Sequence, residues 1–362
     1  MNIAVIDPPV QFENYLYQEE CCYNRVRVWQ VPARSLHVAS QIGADYVRPP
    51  ASWKAFAEAA AEYDTVYLLY TPPLMRWLDA PMELRSKIVV VVNPPILREM
   101  VVTWGFREAI AVSEFGLDVA ERFWPLFDGR PATIQAASGC PHGCHFCTWS
   151  YRAFSPRRWA NPSVTAELAN RSIRPYLICP QLTGVASWVA AFAAARRLPF
   201  NGFSTDLNCA HMPSFEADIR TLAEVGLDKA VVGTEAFCDQ SLRRLGCPHT
   251  LEQSRRMMHL LAELAIEGTY QLRRGYGETL QEIDQTANNL IELLRSLPPN
   301  SPVRIRAGPV YYWHESELLV DLKTKWVAPL GYSVRVEDQD QERLNAWQRC
   351  YDNIRAAGFD CR

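Results

Sequence analysis

The chain has 362 residues, of which 48% are hydrophobic and 21% charged. That is long enough for two domains with a substantial core, and its composition is that of a globular protein rather than a disordered one. A formal net charge of −3 gives no sign of a general nucleic-acid binder, and no apolar run is long enough to span a bilayer.

The opening Met1-Asn-Ile-Ala-Val-Ile-Asp-Pro-Pro9 reads as a first strand, without the basic region and cleavage site of a signal peptide. Eleven cysteines with no export signal point to a reducing cytoplasm, where disulfides are rare. Up to about residue 125 the chain alternates short apolar strands with helices. Strands are expected at Asn2–Ile6, Thr65–Tyr70, Lys87–Val92 and Ala109–Val112, and helices at Ala33–Ile42, Trp53–Tyr63 and Leu117–Phe127. Three strands end in Asp7-Pro8-Pro9, Thr71-Pro72-Pro73 and Asn93-Pro94-Pro95. Each Pro-Pro stops a strand and starts a turn, which places three loops at the carboxyl edge of a parallel sheet, where open α/β sheets bind ligands. A Rossmann-like sheet that only supports the second half fits the same residues.

A strand at Thr133–Ala137 then feeds Ser138-Gly-Cys-Pro-His-Gly-Cys-His-Phe-Cys-Thr-Trp149. Cys140, Cys144 and Cys147 stand in C-x3-C-x2-C spacing on one short loop, so successive thiolates can wrap one metal cluster at low loop-closure cost. Three thiolates are one short of the four that close an iron–sulfur cluster, which leaves one iron open. A zinc knuckle using His142 or His145 and a redox Cys144-x-x-Cys147 pair are the alternatives. Structural zinc loops usually bring two separated ligand pairs, and no second such pair occurs in the chain; the redox pair gives Cys140 no role.

Five further strands are expected at Pro175–Cys179, Asn201–Thr205, Lys229–Thr234, Thr269–Arg273 and Val303–Ala307. Helices are expected at Ser163–Asn170, Ser187–Ala195, Ser214–Val225, Leu251–Ala265 and Leu280–Leu297. Strict alternation implies parallel pairing with right-handed crossovers. Six units are fewer than the eight of a closed barrel. The fold class is therefore α/β, an N-terminal Rossmann-like parallel sheet followed by a partial (β/α)6 TIM-type barrel. The expected domains are 1–128, 129–314 and a C-terminal capping segment 315–362 with a helix at Leu344–Ala356.

The cysteine loop and the barrel pattern over about residues 131–312 resemble the radical SAM superfamily. The resemblance implies a [4Fe-4S] cluster held by Cys140, Cys144 and Cys147. Its open iron would chelate S-adenosylmethionine, and reduction would cleave the sulfonium, usually to a 5′-deoxyadenosyl radical. It further implies that Phe146 packs near the adenine and that Gln181 or Thr183, ending the second strand, hold the methionine carboxylate or amino group. Ser204 and Asp206, at the end of the third, would bond ribose or methionine, and helix capping suits them equally well. Glu235, ending the fourth, would accept from ribose hydroxyls, or else start the next helix. Gly275 belongs to a Gly-Tyr276-Gly277-Glu278-Thr279 turn like the family's Gly-x-Pro-Gly-Glu-Thr, with Arg273 or Arg274 beside it. Pro309, after Gly308, would edge the adenine with its backbone, and Tyr311, Tyr312 and Trp313 would wall the substrate pocket. Arg157 and Arg158 suit an acidic substrate or a reductant protein, or a solvated basic loop.

The first half is similar to the cobalamin-binding domain that precedes many radical SAM enzymes, through Ile6-Asp7-Pro8-Pro9, Cys21-Cys22-Tyr23 and Trp29-Gln-Val-Pro-Ala-Arg-Ser-Leu-His37. It departs from that domain in having no Asp-x-His-x-x-Gly and in carrying Asn93-Pro94-Pro95 where the family usually has Gly-Gly. The resemblance implies a cytoplasmic enzyme with a small-molecule substrate and a flavodoxin- or ferredoxin-type reductant, and with cobalamin as a third cofactor. Two outcomes follow: methyl transfer with cobalamin, or hydrogen abstraction leading to rearrangement, oxidation or elimination without it. A cluster- or zinc-containing sensor is the non-enzyme alternative.

Overall fold

The computed structural model describes residues 2–7, 31–48, 50, 52–69, 82–92, 105–111, 115–146, 157–179, 182, 184–197, 201–210, 212–309, 311–313, 326–330, 333–336 and 340–361. The first half runs β1 (Ile3–Ile6), β2 (Val31–Pro32), α1 (Ala33–Ile42), β3 (Asp45–Val47), α2 (Trp53–Ala61), β4 (Thr65–Leu69), α3 (Met82–Arg85), β5 (Ile88–Val92) and β6 (Glu108–Ala111). Five of these strands form a parallel sheet in the order β3-β1-β4-β5-β6. Successive strand residues point to opposite faces, and both faces are apolar. Ala4, Ile6, Val66, Leu68, Ile88 and Val90 pack with Phe56 of α2. Val5, Leu69 and Val91 join the main core, which also contains Leu36 and Ala39 of α1 and Ile134 of the barrel.

A 3-10 helix (Glu121–Phe127) leads into the second half. The sequence pattern predicts an α-helix over Leu117–Phe127; Pro125 within it lacks the N–H for an i→i−4 bond, and only the tighter turn forms. There follow β7 (Ala132–Gln135), β8 (Ala137–Ser138), β9 (Arg158–Trp159), α4 (Pro162–Arg171), β10 (Tyr176–Ile178), α5 (Ala186–Ala195), β11 (Phe203–Asn208), α6 (Glu216–Glu224) and β12 (Leu227–Glu235). The barrel continues with α7 (Asp239–Arg244), α8 (Leu251–Glu263), β13 (Glu267–Arg274), α9 (Leu280–Ser296) and β14 (Val303–Pro309). The last elements are β15 (Tyr311–Trp313), β16 (Trp326–Leu330), β17 (Ser333–Val336), α10 (Gln341–Ala356) and β18 (Asp360–Cys361).

Six strands pair in parallel in the order β7-β10-β11-β12-β13-β14, the expected partial barrel sheet, and the two-residue strands β2 and β18 extend its two edges. The C-terminal segment contributes a small antiparallel sheet of β15, β17 and β16, while α10 packs along α9. α8 and α9 each open on a capping box, Thr250 with Gln253 and Thr279 with Glu282, which satisfies first-turn N–H groups that otherwise lack partners. Among the described residues no helix is long and apolar enough to cross a membrane.

The third barrel strand differs from expectation. It runs Phe203–Asn208, not Asn201–Thr205. Phe203, Thr205 and Leu207 are buried on the helix side, where Phe203 meets Phe192 of α5 edge-on at 5.5 Å. The intervening Ser204, Asp206 and Asn208 therefore face the barrel axis, and their polarity, which reads as a loop, is that of an inward face.

Phe192 is fully buried, stacked on Trp188 at 5.3 Å and edge-on to Phe203. Phe192→Ala removes this three-ring column and should lower stability by about 3–5 kcal/mol, measured as the shift of the denaturant midpoint at unchanged slope.

Candidate functional site

The cysteine loop springs from the carboxyl end of β7, the edge at which parallel barrels gather their reactive groups. Its base is clamped: β8 pairs antiparallel with β9, Ala137 opposite Trp159 and Ser138 opposite Arg158. Gly139 turns the chain out of β8 at φ 74°, a conformation glycine adopts without strain. Across the mouth, the His145 N–H donates to the Leu245 carbonyl at 2.9 Å, and the His145 Nδ1 meets the Arg244 carbonyl at 3.1 Å. A carbonyl only accepts, so Nδ1 carries the proton. The ring lies over Gly246, where a Cβ would come within 2.7 Å of Nε2. One ring nitrogen is thus engaged, and the ring packs on the backbone at the end of α7. His142 is buried near His249, whose own pKa burial pushes down to about 4.

Cys140 and Cys144 are half-buried; Cys147 lies outside the described residues. Among the described residues no three His, Cys, Asp or Glu side chains come together as a metal site. The C-x3-C-x2-C spacing offers three thiols, which suits iron–sulfur ligation.

Glu235 is the last residue of β12, and the following helix starts only at Asp239, so the carboxylate belongs to the strand edge and not to a helix N-terminus. Its φ is 57°, and the Ala236 N–H donates back to the Thr234 carbonyl at 2.6 Å, closing a three-residue turn. A non-glycine residue held there costs about 1–3 kcal/mol and marks a position fixed by its surroundings. The turn aims the carboxylate back over Gly233, where a Cβ would sit 3.1 Å from Oε1, and Oε2 accepts from Arg273 Nε at 3.1 Å. Burial raises the Glu235 pKa, and the Arg273 guanidinium opposes that shift.

Beside it, β13 ends in the Gly275–Thr279 turn, with Gly275 and Gly277 both at φ 83°. Glu278 is 1% exposed. It accepts from the backbone N–H of Gly275 and of Tyr276, each at 2.8 Å, and from Trp347 Nε1 of α10 at 2.5 Å. Glu278 therefore fixes the turn, while Thr279 and Glu282 cap the helix. Sequence reasoning missed Trp347, for nothing in the spacing of α10 shows which turn it reaches.

The remaining candidates divide. Phe146 is half-buried next to Cys147. Gln181 and Thr183 lie outside the described residues. Asp206 faces the axis, two residues below the edge. Ser204, expected at that edge, lies instead at the amino end of β11, opposite Tyr176 and Lys229, roughly 13 Å down the strand from Asn208. Neither caps a helix, since α6 starts only at Glu216. Pro309 ends β14 opposite Arg274. Strand alternation turns Gln135, Asp206, Thr269, Gln271, Arg304 and Arg306 toward the axis, and Glu267 there takes Lys229 at 3.3 Å and Arg304 at 3.2 Å. A closed barrel fills this space with branched apolar side chains; this interior is polar.

Two parallel sheets joined in this order have counterparts among solved structures. The structure of OxsB, a cobalamin-dependent S-adenosylmethionine radical enzyme with aqua-cobalamin and S-adenosylmethionine bound, superposes with a TM-score of 0.71 at 12% identity, covering 98% of this chain and 67% of that one. The radical S-adenosylmethionine methyltransferase TsrM from Kitasatospora setae, with tryptophan and a SAM analogue bound, gives 0.61 at 11% identity over 99% of this chain and 89% of that one. The fold is that of cobalamin-dependent radical SAM enzymes. The match includes both halves, so the N-terminal sheet is part of the radical SAM likeness and not an unrelated addition. No protein-family model matches the sequence, and no curated protein does.

Trp347→Phe keeps an aromatic ring, smaller than the indole, and removes one of the three donors to a buried carboxylate. Unfolding measurements should show a loss of about 1–3 kcal/mol; an unchanged midpoint would mean that the indole N–H contributes nothing to holding the turn.

Proposed function

We propose that this protein is a radical SAM enzyme that modifies a small polar molecule, with cobalamin at the N-terminal sheet and methyl transfer as the outcome. One observation carries the reading. The thiol loop stands at the carboxyl end of the first barrel strand, in a chain whose two sheets together match the OxsB fold along 98% of its length. OxsB binds aqua-cobalamin and S-adenosylmethionine, and a TsrM structure holds cobalamin and a [4Fe-4S] cluster.

Cys140, Cys144 and Cys147 would hold the cluster. When bound, the cluster supplies the electron that cleaves a sulfonium S–C bond, and a corrin carries a methyl group. The chain's own work is orientation. The Glu235 carboxylate, aimed by its turn and steadied by Arg273, would accept from ribose hydroxyls. The turn at Gly275, locked by Glu278, offers backbone to the nucleoside. Phe146, beside the cysteines, supplies an aromatic face for the adenine. The polar inward rows of β11, β13 and β14 suit a substrate with hydrogen-bonding groups. A flavodoxin- or ferredoxin-type protein would deliver the electron.

The second reading drops cobalamin and leaves hydrogen abstraction with rearrangement, oxidation or elimination. What favours it is Asn93-Pro94-Pro95 in place of Gly-Gly, because proline hinders close backbone approach to a ligand. Anaerobically reconstituted protein, incubated with cobalamin, desalted and given S-adenosylmethionine and dithionite, separates the two. Retained corrin with S-adenosylhomocysteine is the expected result. No corrin with 5′-deoxyadenosine alone supports the second reading, and a bound cluster with no cleavage at all makes the protein a sensor or binding protein.

Glu235→Ala should weaken S-adenosylmethionine binding to the cluster-loaded protein roughly tenfold or more, because a hydrogen bond to a charged acceptor contributes about 1.5–3 kcal/mol. Equilibrium dialysis with labelled S-adenosylmethionine reads it, and an unchanged affinity removes Glu235 from the nucleoside site.

A further inference from the structure

Between Cys144 and Cys147 stand His145 and Phe146, and the structure gives the histidine ring a dedicated seat. The His145 imidazole rests on Gly246, whose φ is 65° and where a Cβ would fall 2.6 Å from the ring Cδ2 and 2.9 Å from Cγ. Only glycine leaves that space. The Nδ1 proton and the backbone N–H of the same residue reach the consecutive carbonyls of Arg244 and Leu245. These carbonyls close α7, so the histidine also partners helix-end acceptors that the helix cannot satisfy itself.

The seat is rigid for its own reasons. Arg244 Nη2 lies 3.2 and 3.3 Å from the two oxygens of Glu282, whose side chain is 2% exposed. Glu282 is the capping-box residue of α9 and also accepts from the Thr279 N–H at 2.7 Å. Thr279 follows Glu278, which α10 holds through Trp347. The C-terminal helix, the Gly275–Thr279 turn, the start of α9, the end of α7 and the cysteine loop thus form one continuous set of contacts.

We propose that His145 is a positioning residue for the cluster. Seated on Gly246 and braced by Arg244 and Glu282, it fixes the loop at Cys144 before iron arrives. The inference rests on the enzyme reading, because it takes the three cysteines as the ligands. A loop clamped only at β8 and β9 would have to be ordered by the metal itself, and pre-ordering by contacts beyond the ligands is what typically changes metal retention about 10- to 100-fold.

The test compares wild type, His145→Ala and His145→Asn after anaerobic reconstitution. Iron and sulfide per chain are counted, and the bleaching of the visible thiolate-to-iron absorption is followed after adding an iron chelator. Asparagine can place an amide N–H near the position of Nδ1. His145→Asn should therefore hold its iron nearly as long as wild type, while His145→Ala should lose it about tenfold faster or more at an unchanged unfolding midpoint. Gly246→Ala, which expels the ring, should also speed the loss, but add nothing in the His145→Ala background. Should His145→Ala not fold, the comparison of Gly246→Ala with wild type decides alone. Equal retention in wild type and the ring-less variant overturns the inference and leaves the enzyme reading standing. A wild-type chain that takes up no cluster overturns both.

Discussion

A loop that presents three thiols to one metal cluster needs fixed ends, because each free residue between ligands adds closure entropy that the metal must overcome. Here the ends are tied by the β8–β9 pairing and the middle by the seat at Arg244, Leu245 and Gly246. Both anchors stand on the barrel sheet: β8 directly follows β7, and α7 directly follows β12. The separation of the two anchors is therefore set by the parallel register of the sheet, strand by strand from β7 to β12, and the mouth of the barrel inherits its geometry from backbone hydrogen bonds.

The same register explains the chemistry available inside. Outward residues of β11, β12, β13 and β14, such as Phe203, Val232, Leu272 and Ile305, are buried in the common core. Inward residues of the same strands are free of that packing duty. They carry serine, aspartate, glutamine and arginine, with the Lys229–Glu267–Arg304 pairs at the amino end and the Glu235–Arg273 pair at the carboxyl end. Buried polar groups cost free energy unless they are partnered, so a barrel keeps them only where ions pair or a ligand fits. The N-terminal sheet shares a core with this barrel through α1 and β2, which makes the two halves one packed unit along their contact.

Much of this was legible in the sequence where a periodic signal runs long enough. Helix Ala33–Ile42 and five of the six main barrel strands were legible from their local patterns. The cysteine spacing marks a candidate ligand set without any structure. What escaped was short or non-local. Val31–Pro32 and Asp360–Cys361 are strands only because a neighbour's backbone is there to pair with; two residues carry no period. Ser204 was misplaced because an inward polar face and a loop look alike in one dimension. The reach of Trp347 to Glu278 spans 69 positions and that of His145 to Arg244 spans 99, and no local pattern encodes contacts of that separation. The glycine at Gly246 marks a helix end, but not what rests on it.

The central claim is that three cysteines of this chain leave one iron of a [4Fe-4S] cluster open to S-adenosylmethionine. Mössbauer spectroscopy of protein reconstituted with enriched iron, recorded with and without S-adenosylmethionine, tests it directly. The account predicts that one iron in about four changes its isomer shift when S-adenosylmethionine is added, the other three staying as they were. A spectrum that S-adenosylmethionine leaves unchanged, with every iron site already four-coordinate in sulfur, would contradict it.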